Sequence, residues 1–179
     1  MRYLLPIFAG LLALPPVSAT TLEKLSLDDM IAKSTAVVRG RVQGCTGEYR
    51  APIVYTHCKL AVSERWKGAT PPVADVMILG GTAKGLTQNF PGAPKLSEGE
   101  DYVLFLWTGR SGMTQIIGFS QGAFSVNMFA KSEQVEQKAA AAQTLLDPLG
   151  RPVSDDPIRM SLKAFKARVL SGVAQKGAQ

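Results

Sequence analysis

The run Ala36-Val37-Val38-Arg39-Gly40-Arg41-Val42 decides the fold class, together with the run from Ile53 to Arg65. The first run is dense in valine, whose branched side chain favours extended backbone. In the second, apolar and polar residues alternate with the period of a half-buried strand. One face of it holds Cys58, Leu60 and Val62, and the other holds Lys59 and Ser63. Because residues 44–52 are rich in turn formers, we expect two strands joined as an antiparallel hairpin.

Further runs with the character of strands follow the hairpin. The run from Tyr102 to Trp107 is apolar throughout, which predicts a central strand covered on both faces. The other runs are Val73 to Leu79, Thr114 to Phe119 and Ala123 to Val126. Five to six strands in sequence predict a mainly β protein, a β-rich α+β fold built on a barrel.

Two helices should flank these strands. Ser26 is followed three residues later by Asp29, the spacing of a capping box, so a short helix is predicted over about 26–33. Ser161 can cap an amphipathic helix over about 161–175. Its apolar face consists of Leu162, Phe165, Val169 and Val173. We expect this face to pack on the barrel, with a membrane surface as the alternative. For residues 128–152, a helix and a pair of strands both stay open.

Cys45 and Cys58 are the two cysteines of the chain. In a hairpin centred near Ala51–Pro52 they lie almost opposite each other, at the cross-strand separation that a disulfide needs. The alternation of the two strands calls for a β-bulge near Gly40 or Gly44 to align the side chains. We expect a disulfide, formed in an oxidising compartment, with two buried free thiols as the alternative.

The N-terminus has the pattern of a secretory signal peptide. A basic start at Arg2 precedes an apolar run from Leu4 to Leu14, and the small residues Val17-Ser18-Ala19 follow. Cleavage is predicted near Ala19, and the apolar run is too short to span about 30 Å of hydrocarbon as a helix. No later segment is long and apolar enough for a transmembrane helix. We expect an exported protein, periplasmic or secreted.

Length and composition limit the classes of protein that remain. The 179 residues are 46% hydrophobic and 19% charged, which suits one folded domain with an extension. The predicted divisions are a signal peptide at 1–19, a barrel domain at 20–127 and a C-terminal extension at 128–179. One histidine and two cysteines exclude a four-ligand Cys/His zinc site, and neither a metal nor a cofactor is expected.

The chain is basic, with a formal net charge of +6 that falls by one if Arg2 leaves with the signal peptide. Such an excess favours contact with anionic envelope polymers, lipid head groups or nucleic acid. The basic residues are scattered, so a solvated surface is the simpler explanation. Nucleic acid is not expected as a partner, because the aromatic residues that would stack on bases lie in strands that should be buried.

Two motif matches lack the structural context that their chemistry needs. Residues 118–122, Gly-Phe-Ser-Gln-Gly, have the G-x-S-x-G spacing of a hydrolase nucleophile elbow but lie between two predicted strands. The single histidine, His57, precedes Ser120, whereas the hydrolase order places histidine last. Gly80 to Thr87 is similar to a phosphate-binding loop but has Leu86 where that loop needs its lysine. We expect no catalytic residues, and a serine hydrolase using Ser120 and His57 is only an alternative.

The strand pattern also resembles a known family. The first hairpin is similar to that of the OB-fold domain in tissue inhibitors of metalloproteinases and netrin-like modules. The residues concerned are Ser34 to Val42, Val54-Tyr55-Thr56, Leu60-Ala61-Val62 and Trp66-Lys67-Gly68. Later residues resemble uncharacterised bacterial secreted proteins with that fold, namely Phe90 to Pro94, Gly99 to Leu106 and Gly118 to Val126.

The resemblance covers residues 34–126 and implies a five- to six-stranded OB-fold-like barrel. A short N-terminal helix and a C-terminal packing helix complete that fold. The inhibitors chelate the protease zinc through an N-terminal cysteine, whereas this chain would begin at Thr20 or Thr21 after cleavage. The resemblance therefore carries the fold and does not by itself imply inhibition through that terminus.

The expected function is binding rather than catalysis. Residues 80–94 should form a long Gly-rich loop, and long loops are often functional. An OB-fold barrel binds its ligands through one face and the neighbouring loops. The candidate partner-binding residues are Gly80, Gly81, Thr82, Lys84, Gly85 and Phe90. The expected partner is a secreted or envelope protein or an anionic envelope polymer, and a structural role in an envelope assembly is the other alternative.

Overall fold

The computed structural model describes residues 20–139 and 143–177, so the predicted signal peptide lies outside the described residues. The fold of these residues is mainly β, with 52% of them in strands and two α-helices among them, as the sequence predicted. The strands are β1 (Thr20–Glu23), β2 (Ala36–Arg50), β3 (Ile53–Lys67), β4 (Val73–Leu79), β5 (Gly81–Ala83), β6 (Leu86–Gln88), β7 (Asp101–Thr108), β8 (Thr114–Ile116), β9 (Ala123–Phe129), β10 (Ser132–Gln137), β11 (Gln143–Leu146), β12 (Pro152–Val153) and β13 (Arg159–Ser161). The helices are α1 (Leu27–Lys33) and α2 (Leu162–Gly177), and a 3-10 helix spans Phe119–Gly122.

The predicted hairpin is the β2–β3 pair. Each strand has 15 residues, and the turn between them is Ala51–Pro52, whose peptide bond is cis. Residues 44–50 were expected to belong to the turn, but they are strand. The reason is that the antiparallel ladder continues without interruption from Gly44 to the pair of Arg50 with Ile53.

The predicted disulfide joins the two strands of this hairpin. Cys45 and Cys58 are bonded, and their Cα atoms lie 4.1 Å apart as direct neighbours across the ladder. The register shifts beside Gly40 and again beside Gly44, so irregularities occur at both glycines where a bulge was expected. The disulfide therefore lies in the middle of the β2–β3 hairpin. The other strands of the large sheet add to the edges of that hairpin.

The strands around this hairpin form a ring that is weakly closed. The largest sheet has the order β13-β10-β9-β7-β2-β3-β4-β8. β8 also pairs with β7 through three residue pairs, whereas its parallel contact with β4 is the single pair Met77 and Gln115. The strands β7, β2, β3, β4 and β8 thus surround one interior without forming a clean closed barrel.

Beyond residue 127, β9, β10 and β13 continue the same sheet, whereas β11 and β12 form a separate three-stranded sheet with β1. β9 runs through that position, and β10 returns beside it after the two-residue turn Ala130–Lys131. β13 then pairs with the other side of β10. Of the two structures left open for residues 128–152, the described part adopts strands, since β10 completes a ladder with β9 and β11 pairs with β1.

Apolar side chains form two cores on opposite faces of the central strands. Successive residues of a strand point to opposite faces. Val37 and Phe105 therefore enter the core beneath the helices, while Val38 and Leu104 enter the core inside the ring. Residues 102–106 are all buried, which confirms the prediction that β7 is covered on both faces.

Both predicted helices are present and packed. Ser26 caps α1 in a complete capping box with Asp29. At the start of α2, Ser161 Oγ accepts a hydrogen bond from the Ala164 N–H at 3.3 Å. Phe165 is fully buried, and its ring centroid lies 4.6 Å from that of Phe124. Helix α2 thus packs on the sheet through its apolar face, as expected.

Candidate functional site

Residues 80–94, predicted as one long loop, contain a regular hairpin. β5 and β6 pair around the turn Lys84–Gly85, and residues 89–100 follow without helix or strand. Gly80 and Gly81 lead into the hairpin with φ of +92° and +122°, a region that favours glycine. The expectation of an irregular loop is wrong for residues 81–88, because three cross-strand pairs organise them.

The β5–β6 hairpin is held against the end of the β2–β3 hairpin. The Gly80 N–H donates to Val54 O at 2.8 Å, and Thr56 Oγ1 donates to Gly80 O at 2.7 Å. The Gln88 Oε1 accepts a hydrogen bond from the Val54 N–H at 2.7 Å, and its Nε2 donates to Pro52 O at 3.0 Å. Four hydrogen bonds to backbone groups therefore set the position of β5–β6.

A cavity of about 520 Å³ opens between this hairpin and the disulfide. The predicted binding residues Gly80, Gly81 and Thr82 line it. Its other lining residues are Cys45, Thr56, Cys58, Ile78, Leu79, Thr87, Gln88, Asn89 and residues 93–96. Apolar surface combined with a few hydrogen-bonding groups is typical of a ligand-binding cleft.

The other predicted binding residues lie outside this cavity. Lys84 and Gly85 form the exposed turn of β5–β6. Phe90 lines a second cavity, of about 590 Å³, which shares Asn89 and residues 93–95 with the first. The structure therefore distributes the six candidate residues over two adjacent cavities and one exposed turn.

Two basic residues of the second cavity were not singled out from the sequence. Lys95 follows the Pro-Gly-Ala-Pro run, a turn signal that could have drawn attention to it. Lys138 follows β10, and nothing in its local sequence places it near Lys95. Their proximity depends on the packing of the 89–97 segment against the end of β10.

The residues of the alternative serine hydrolase are not brought together. Ser120 is buried, and its Oγ has no hydrogen-bond partner among the described residues. His57 lies on β3, where its Nδ1 is 3.1 Å from each carboxylate oxygen of Asp75. The His57 Nε2 lies 2.6 Å from Glu48 Oε2. No contact between base and nucleophile exists here.

The G-x-S-x-G run has a structural role in this fold. Gly118 has a φ of +61°, and a Cβ on Gly122 would lie 2.6 Å from a backbone oxygen. The Gln121 Oε1 accepts a hydrogen bond from the Leu25 N–H at 2.8 Å, and its Nε2 donates to Glu23 O at 3.0 Å. The glycines permit a tight turn, and Gln121 fastens that turn to the end of β1.

A charged cluster that the sequence did not indicate joins five elements. Arg39 of β2 donates to Asp101 of β7 at 2.6 Å, to Glu64 of β3 at 3.2 Å, and to Glu133 of β10. Lys166 of α2 donates to Glu64 Oε2 at 2.6 Å. This hydrogen bond is the main reason that the pKa of Glu64 lies below its usual value. Because its charges are paired within the protein, the cluster has a structural role.

Burial and a hydrogen bond perturb one further group near the cavities. Burial raises the pKa of the Tyr102 hydroxyl, and its hydrogen bond to Glu100 Oε2, at 2.6 Å, acts in the same direction. Tyr102 Oη also accepts a hydrogen bond from the Ser97 N–H at 3.1 Å. Tyr102 therefore ties the end of the 89–97 segment to β7 as a neutral phenol.

Two negative findings apply to residues 20–139 and 143–177. No group of three or more His, Cys, Asp or Glu side chains there could hold a metal ion. None of the helices in these ranges has the length and apolar character needed to cross a membrane.

No family model, no curated protein and no solved structure matches this chain. What the described residues define is a β-rich fold with a cross-strand disulfide and two adjacent cavities.

Proposed function

We propose that this protein is an exported binding module without catalytic activity, built on an OB-fold-like barrel. The ring β7-β2-β3-β4-β8, with its weak closure at β8, supports the barrel assignment because the OB-fold is a five-stranded, partly open barrel. The Cys45–Cys58 disulfide supports export, since disulfides persist in oxidising compartments. The signal-peptide pattern of residues 1–19 agrees with that compartment.

The cavity between β5–β6 and the disulfide is the observation that carries this proposal. Its volume of about 520 Å³ is in the usual range of ligand-binding sites. Leu79 and Leu96 supply apolar surface, while Thr87 and Asn89 supply hydrogen-bonding groups. Lys95 is the one charged residue among those that line it. This composition favours binding, because acid–base catalysis depends on ionisable groups within reach of the reacting atoms.

The partner that we propose is a secreted or envelope protein, or an anionic envelope polymer. Lys84 presents its positive charge on the exposed turn of β5–β6, and the adjacent Leu86 is 49% exposed. The net charge of +6 adds a general attraction for anionic partners. Salt dependence separates the two kinds of partner, because contacts between exposed charges weaken as salt screens them.

Affinity capture with a variant of the hairpin turn tests the proposal. The double variant Lys84→Glu/Leu86→Ser alters exposed side chains and leaves the Gln88 anchor in place. Tagged wild type and variant are crosslinked to the envelope fraction and culture fluid of the native host. Co-purified proteins and polymers are then quantified. We expect the variant to retain at most about one tenth of the partner, as charge reversal and loss of an apolar contact predict.

The matched control is Lys59→Glu, which reverses the charge of an exposed residue on β3. It should capture as much partner as the wild type does. Equal capture by the wild type and the Lys84→Glu/Leu86→Ser variant would contradict the proposal that the exposed turn of β5–β6 binds the partner. Labelling by a fluorophosphonate probe that disappears in Ser120→Ala would contradict the non-catalytic assignment.

A further inference from the structure

The second cavity, of about 590 Å³, lies between the segment after β6, the 3-10 helix and the end of β10. Its lining residues are 89–95, Ser97, Ser120, Lys138 and Ala139. Phe90, Pro91 and Pro94 give it an apolar wall. The remaining wall carries hydroxyl groups, one amide and two ammonium groups.

The charge of this cavity is entirely positive. Lys95 and Lys138 line it, and none of its lining residues is acidic. The Lys138 Nζ lies 5.6 Å from the centroid of the Tyr102 ring. In the described ranges neither lysine forms an ion pair, whereas Lys166 is paired with Glu64. Two ammonium groups without a carboxylate partner at one cavity attract an anion.

A buried hydroxyl group at the same cavity indicates the same ligand chemistry. Ser120 is only 4% exposed, and its Oγ lacks a hydrogen-bond partner in the part of the chain that the structure describes. Buried polar groups that stay unpaired are rare, because their desolvation is not compensated. A ligand oxygen that accepts a hydrogen bond from Ser120 would compensate the desolvation of this hydroxyl group.

We propose that this cavity binds an oxyanion, a carboxylate or a phosphate, that is attached to an apolar group. Lys95 and Lys138 supply the positive charge, and Ser120 donates a hydrogen bond to an oxygen of the anion. The apolar group of the ligand packs on the wall formed by Phe90 and Pro94. This site goes beyond the proposed partner binding, because it does not use the exposed turn of β5–β6.

Titrations followed by two-dimensional ¹H–¹⁵N NMR test the site with acetate, benzoate, inorganic phosphate and phenyl phosphate. Chloride holds the ionic strength constant, because salt screens exposed charges. We expect saturable shifts in residues 89–97 and 118–122. Benzoate and phenyl phosphate should bind more tightly than acetate and inorganic phosphate, since each adds an apolar ring. The tighter binder of the two aromatic probes identifies the oxyanion as carboxylate or phosphate.

Three variants separate this site from general attraction by a basic surface. Lys95→Gln/Lys138→Gln should weaken binding of the best probe at least about tenfold, because charge-assisted hydrogen bonds are the strong ones. Ser120→Ala should weaken it about threefold or more. Lys59→Gln is the matched control, because it removes an exposed lysine of β3 that does not line the cavity. It should leave the affinity unchanged.

Two results would overturn the proposal: the absence of saturable shifts with all four probes, or equal affinity of the wild type and the Lys95→Gln/Lys138→Gln variant. The capture experiment changes Lys84 and Leu86, whereas the anion titrations change Lys95, Lys138 and Ser120, of which only Lys95 also lines the first cavity. Failure of one experiment therefore leaves the other proposal standing.

Discussion

Single glycines decide how closely β2 can approach β3. Gly40 lies at one irregularity of β2, and a Cβ there would be 2.4 Å from Ala61 O and 2.9 Å from Leu60 Cγ. Gly44 lies at another irregularity, yet a Cβ there would have no heavy atom within 4 Å. These two glycines share a strand and differ in the space beside them.

We expect Gly40→Ala to lower the free energy of unfolding by about 1–3 kcal/mol, because the added methyl group collides with backbone. Gly44→Ala should change it by less than about 0.5 kcal/mol. Urea denaturation followed by circular dichroism measures both. If the two variants were destabilised equally, the close contact at Gly40 would not be what limits the packing.

At the scale of elements, the cluster around Arg39 connects strands with a helix. Glu64 of β3 accepts hydrogen bonds from Arg39 at 3.2 Å, from Lys166 of α2 at 2.6 Å and from the Trp66 indole at 3.0 Å. Its side chain is 29% exposed, so solvent screens these contacts only in part. The ionised carboxylate therefore stabilises the docking of α2.

The hydrogen bond from Lys166 is the largest cause of the lowered pKa of Glu64, so the folded state favours the ionised form. The resulting stabilisation is complete above the ordinary value of 4.5 and is lost as the pH falls through the lower pKa of the folded state. We therefore expect Glu64→Gln to reduce the free energy of unfolding by about 1 kcal/mol at pH 7. This difference from the wild type should shrink below pH 4, as urea denaturation at a series of pH values would measure.

The matched control for this variant is Glu136→Gln. Glu136 pairs with Arg159, but the two side chains are 44% and 71% exposed. An exposed pair of this kind contributes little, so the control should change stability by less than about 0.5 kcal/mol at either pH. A pH-independent effect of Glu64→Gln would show that its charge does not stabilise the fold.

At the scale of the whole molecule, the helices and the ring share the central strands. The core beneath the helices contains Phe165 of α2, Phe105 of β7 and Phe124 of β9. The core inside the ring uses the opposite faces of the same region. Helix α2 is therefore part of the domain, although it follows the ring in the chain.

Phe165→Ala should lower the free energy of unfolding by about 3–5 kcal/mol, because it removes a fully buried ring that packs against three other aromatic rings. Leu170→Ala on the same helix is the control, since Leu170 is 42% exposed. Leu170→Ala should lower the free energy of unfolding by less than about 1 kcal/mol. Thermal and urea denaturation measure both, and similar small losses in the two variants would mean that α2 contributes little to the fold.

The sequence predicted those features that depend on residues close together in the chain. The β2–β3 hairpin follows from alternation and turn formers, and the pairing of Cys45 with Cys58 follows from the position of that turn. The capping box of Ser26 and Asp29 and the apolar face of α2 are equally local. The Gly-rich segment was expected to bind a partner, which stays a prediction, and its hairpin was not predicted, because its ladder has only three residue pairs.

The sequence by itself therefore determined the strands of the central hairpin, its disulfide and the two helices, since periodicity and capping act over a few residues. Tertiary structure decided what distant residues do together. Lys67, at the end of β3, donates to Ile31 O and Ser34 O at the end of α1. Likewise, Lys95, Ser120 and Lys138 meet at one cavity although they are far apart in the chain. No local sequence pattern predicts that such distant residues lie together, because their positions depend on how the whole sheet and its loops pack.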